Sequence, residues 1–175
     1  MNYNAFVNPA TRQINKAAIV AGTPGVASAA RWFWWIAGLS LVNTVLIHSG
    51  SETSFVIGLG FTLIADVAFQ ALKPVAFALD ALAIGFFALI GWLALRGHFW
   101  AFVVGALVYV ADALIYLNFG DMMPFGFHLF ALFFIVRGAF ALRRAVSDAE
   151  MAAQEPGFTA PAAEPPAPPP LTGAQ

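Results

Sequence analysis

Residues 74–117 read PVAFALDALAIGFFALIGWLALRGHFWAFVVGALVYVADALIYL, and the fold follows from this stretch. It holds two apolar runs, 74–95 and 99–117, separated only by Arg96-Gly97-His98. A membrane-spanning helix needs about 20 apolar residues, with a range of about 17–25. Each run therefore predicts a span, and the three-residue link predicts an antiparallel hairpin. Composition agrees: 61% of the 175 residues are hydrophobic, 10% are charged and mean hydropathy is +0.79. A soluble domain carries about 25% charged residues. So large an apolar excess needs lipid as part of its solvent.

Three further apolar segments lie outside the hairpin. Residues 125–142 are long enough to span, and 32–47 form a short span anchored by Trp32, Trp34 and Trp35 beside Arg31, an interfacial pattern. The segment 55–72 differs. It opens on Gly58-Leu59-Gly60, contains Thr62 and Asp66, and stops at Lys73-Pro74, which suits a re-entrant or broken helix.

Charge placement arbitrates, because Lys and Arg accumulate in cytoplasmic loops. With five spans they divide four to three. With four spans and a re-entrant second segment, Arg12, Lys16, Arg31, Arg96, Arg143 and Arg144 share one side, and only Lys73 is opposite. The expected fold is thus an all-α, polytopic helical bundle of four spanning helices plus one re-entrant or broken helix, with both termini cytoplasmic; five spans is the alternative. Residues 1–30, interrupted by Pro9, Pro24 and Gly25, predict a flexible N-terminal arm. Residues 31–144 form the bundle. Residues 145–175, rich in Pro and Ala, predict a disordered tail.

Several polar residues fall inside the apolar segments, where an unpaired charge costs at least about 2.5 kcal/mol. Asp66 and Asp80 each stand seven positions from Lys73, about 10 Å along a helix. Asp112 is six positions before Asn118, about 9 Å, and His128 is three after Phe125, about 5 Å. All four belong to one leaflet, with Glu52, Asp121 and His48 nearer that surface. Tyr109, Asp112 and Tyr116 continue one helix face from Gly105. Ala81 with Gly85, and Ala101 with Gly105, predict close approach of the hairpin helices, with Asp80 facing Asp112. The candidate polar or ion site is therefore Asp66, Asp80, Tyr109, Asp112, Tyr116 and His128. Arg137 reads as a snorkelling anchor.

These groups fit three function classes. The leading expectation is a structural or accessory membrane subunit, with the lipid bilayer as surroundings and a second copy or another membrane protein as partner. An ion- or proton-coupled transporter using the Asp residues is the alternative. An intramembrane metalloenzyme is the second alternative, since carboxylates and an imidazole suit a divalent metal. No motif identifies a catalytic residue, metal or cofactor, and no Gly-x-Ser-x-Gly or HExxH occurs. The absence of Cys excludes disulfides and thiolate chemistry. A net charge of −1 without a basic helix face argues against nucleic acid.

At 35–41 (WIAGLSL), Gly58-Leu59-Gly60, Arg96-Gly97-His98, 127–132 (FHLFAL) and Arg137-Gly138, the chain resembles a family of small bacterial multi-pass membrane proteins with no assigned activity. The resemblance covers about residues 31–144. It implies a bacterial inner-membrane location and no mechanism.

Overall fold

The computed structural model describes residues 6–8, 13–49, 58–69 and 71–154. They form a two-stranded antiparallel ladder, β1 (Val7–Asn8) with β2 (Gln13–Ile14), and six helices. These are α1 (Lys16–Gly22), α2 (Pro24–His48), α3 (Gly60–Ala68), α4 (Lys73–Leu95), α5 (Phe99–Phe119) and α6 (Met122–Gln154). Four of them, α2, α4, α5 and α6, are long and apolar enough to cross a membrane. Their outward faces carry large apolar side chains, among them Leu82 at 70%, Leu107 at 64% and Phe133 at 60% exposure. Water would not tolerate that surface; acyl chains do. The protein is an all-α, multi-pass membrane bundle.

The spans close into a ring in which α2 touches α4 and α6, while α5 touches the same two neighbours. Two glycines make the tight reversals. Gly97, at φ +82°, ends α4, with the His98 N–H returning to the Leu93 carbonyl at 3.2 Å. Gly120, at φ +75°, ends α5, with the Asp121 N–H on the Tyr116 carbonyl at 3.0 Å. Pro24, Pro74 and Pro124 sit in first helical turns, where a missing N–H removes no helical bond.

All five tryptophans collect at one end of the bundle, in the first half of α2, the last turn of α4 and the first of α5. Lys16, Arg31, Arg96, Arg137, Arg143 and Arg144 lie toward that same end, and the Arg96 guanidinium covers the Trp92 ring at 3.7 Å. Lys73 starts α4 at the opposite end. The nine residues of α3 span only about 13 Å, too short to cross. This helix rests on α4 and α5 within the Lys73 half.

Three expectations need correction. The described part of the N-terminal arm is folded: Ile19, Val20 and Val26 are buried, and α2 begins at Pro24 rather than near Arg31. Its Ala-rich start looked too weakly apolar to be structural, yet small residues pack by backbone approach, and Ala29 fills the space beside Gly138 of α6. Likewise α6 continues ten residues into the segment expected to be disordered. Ala145, Ala149 and Ala153, four apart, make a buried stripe where α6 meets α1 and β2. At 33 residues, about 50 Å, α6 outruns the hydrocarbon layer of about 30 Å, so this end is a small cap beyond the lipid. Residues 155–175 lie outside the described residues, as do Arg12, Glu52 and the side chain of His48.

The third correction concerns the hairpin. A Cβ on Gly85 would meet nothing within 4 Å, so Ala81 and Gly85 mark no helix interface. Gly105 instead makes room for Phe33 of α2, whose ring would lie 2.5 Å from an added Cβ, and for Ile90 of α4. Phe33 thus wedges between the hairpin helices, stacked on Phe87 (6.4 Å) and tilted on Phe102 (5.9 Å).

Candidate functional site

Asp112, on α5, is held by three groups from two other helices, α3 and α6. Its Oδ2 accepts the Gly60 N–H at 3.0 Å, its Oδ1 accepts the Phe61 N–H at 2.9 Å, and His128 Nε2 lies 2.9 Å from Oδ2. Gly60 and Phe61 are the first residues of α3, whose opening N–H groups have no helical acceptor. The α3 helix brings no side-chain cap of its own, so a carboxyl group from α5 caps it instead. Gly60 permits the approach, since a Cβ there would lie 3.0 Å from the Tyr116 ring and 3.1 Å from Ile115. The Tyr116 hydroxyl donates to the Gly58 carbonyl at 2.9 Å, and Asn43 packs against Gly58.

The histidine is fixed at both nitrogens. Its Nδ1 is 2.8 Å from the Pro124 carbonyl, one turn earlier on α6. A carbonyl only accepts, so Nδ1 carries a proton. Nε2 then faces a carboxyl oxygen, and contact at 2.9 Å demands one more proton between them. Whether Asp112 or His128 keeps it, the pair has no net charge. That neutrality is what lets two ionisable groups, 5% and 0% exposed, sit at membrane depth. Tyr109 stacks on the imidazole at 4.3 Å and 23°, and Tyr116 tilts over it at 5.1 Å.

Four of the six expected site residues, Tyr109, Asp112, Tyr116 and His128, therefore converge. The other two lie on α4 and α3. Asp80 is fully buried and accepts the Thr44 hydroxyl at 3.0 Å, tying α4 to α2. Asp66 lies in the second half of α3, partly buried. Among the described residues no three His, Asp or Glu side chains gather closely enough to hold a metal. The centre of the site is thus the Asp112–His128 pair. Pro124 and Thr44 escaped notice in the sequence, and Gly58 and Gly60 were read only as weakening a span. A Gly-x-Gly before a short helix and a Pro four residues before a His were their available signals.

No protein family, curated protein or solved structure matches this chain.

Proposed function

We propose that the protein is a non-enzymatic structural or accessory membrane module, in which the Asp112–His128 pair clamps the broken helix α3 to the bundle. The observation behind this reading is that both Asp112 oxygens and both His128 nitrogens already bond to protein. A pair so engaged fixes packing rather than awaiting a reactant. Its partner is a second copy of the chain or another membrane protein. Extraction in mild detergent followed by sizing should recover such an assembly, and it should weaken when Asp112→Ala frees α3. A lone monomer whose size and stability ignore that substitution would remove the proposal.

The proton shared by Asp112 and His128 favours a second reading, proton-coupled transport. Proteoliposomes under a pH gradient separate the two: flux lost in Asp112→Asn supports transport, and no flux leaves the structural reading.

We also propose a bacterial inner-membrane location with both termini in the cytoplasm, supported by the Arg and Lys residues at the Trp end. Reporter fusions at Gly97 and after Gln154 should register cytoplasm, and fusions at Glu52 and Asp121 the opposite side. A fusion after Gln154 that registers outside would reverse the orientation.

A further inference from the structure

Between α3, α4 and α5 lies a cavity of about 520 Å³, walled by Leu59, Phe61, Leu82, Phe86 and Val108, with Asp112 as its charged-type residue. We infer that this cavity is a binding site for a neutral, hydroxyl-bearing lipophile, a long-chain or isoprenoid alcohol, whose O–H donates to Asp112. The inference goes beyond the structural reading and does not depend on it.

Three observations select that class. First, the volume falls within the range of about 300–1,000 Å³ that holds small lipophilic ligands, and the walls are aliphatic and aromatic. Second, Asp112 has acceptor capacity to spare. Oδ1 takes one hydrogen bond, from Phe61, whereas a carboxyl oxygen offers two lone pairs, and Oδ1 remains an acceptor whichever partner holds the shared proton. Third, depth and charge exclude other head groups. Asp112 stands seven residues before the end of α5, about 10 Å along the helix, where a phosphate or ammonium head would be stripped of water. The neutral Asp112–His128 pair offers no net charge to offset it. A hydroxyl meets both limits, since it is small, uncharged and a donor, and its chain lies among Leu82, Phe86 and Val108.

The test uses the full chain in lipid nanodiscs and a diazirine-bearing dodecanol as photoprobe, with labelled peptides identified by mass spectrometry. Labelling is expected on the cavity walls of α3, α4 and α5. Dodecanol should compete at about tenfold lower concentration than dodecyl methyl ether, the worth of one hydrogen bond in an apolar cavity. Ala83→Trp, and independently Ala111→Phe, fill the cavity without touching the pair, and each should abolish wall labelling while preserving the wild-type elution profile. Labelling that falls elsewhere, or that survives both fillings, overturns the site. Equal competition by alcohol and ether overturns the head-group assignment and leaves an acyl-chain slot.

Discussion

Asp112→Ala should destabilise the bundle by about 3–5 kcal/mol, the usual consequence of removing one member of a buried pair while its partner stays behind. Three groups lose their partner together: the N–H groups of Gly60 and Phe61, and His128 Nε2. Asp112→Asn should cost less, about 1–2 kcal/mol, the scale of one unsatisfied polar group. Its carbonyl can still accept from Phe61 and its amide can donate to Nε2, but that amide then confronts the Gly60 N–H. Thermal unfolding in detergent ranks the two. Because the chain contains no Cys, Thr62→Cys gives a unique label site on a residue now 2% exposed. Its reaction with maleimide should accelerate at least about tenfold in the Asp112→Ala background, the factor equivalent to about 1.4 kcal/mol of lost docking. Unfolding within about 1 kcal/mol of the parent would mean that Asp112 does not hold α3.

Gly105→Ala should cost about 1–3 kcal/mol, the range for overpacking a filled core. An added methyl would lie 2.5 Å and 2.7 Å from Phe33 ring carbons and 2.7 Å from Ile90. Phe33 has little freedom to retreat, being fully buried between Phe87 and Phe102. Gly85→Ala is the matched control. Its methyl would meet nothing within 4 Å, so the gain of about 0.5–1 kcal/mol in helix propensity should emerge unopposed. Opposite signs in thermal unfolding are expected, and equal shifts would sink the assignment of Gly105 to the Phe33 wedge.

Much of this architecture was legible in the residues, and the failures share a cause. Rise per residue places a group along a helix, and it put Asp112 and His128 near one level, where they meet. It carries no information on rotation about the axis. In a soluble helix the polar face supplies that rotation; in α5 the Gly105–Tyr109–Asp112–Tyr116 stripe does so and is buried, but α4 is apolar toward lipid and core alike and its periodicity points nowhere. The bond from Thr44 to Asp80 was therefore not foreseen, Thr44 being an unremarkable residue in an apolar run. The broken helix was readable because Gly58, Gly60, Asp66 and the isolated Lys73 all weaken the second segment as a span. The cap built by α1, β2 and the end of α6 was not readable, since its contacts rest on alanines that composition alone assigns to no face.

The rings in the bundle centre also bear on permeation. Phe102, Phe33, Phe87, Tyr109 and His128 follow one another from the Trp end toward the Lys73 half, with successive centroids 5.9, 6.4, 5.9 and 4.3 Å apart, and none is more than 2% exposed. A file of water needs polar partners at each step, and the phenylalanine rings supply none. Among the described residues, the bundle axis from Phe102 to His128 is consequently filled by packed rings, and the phenylalanine part of it offers a file of water no run of polar partners.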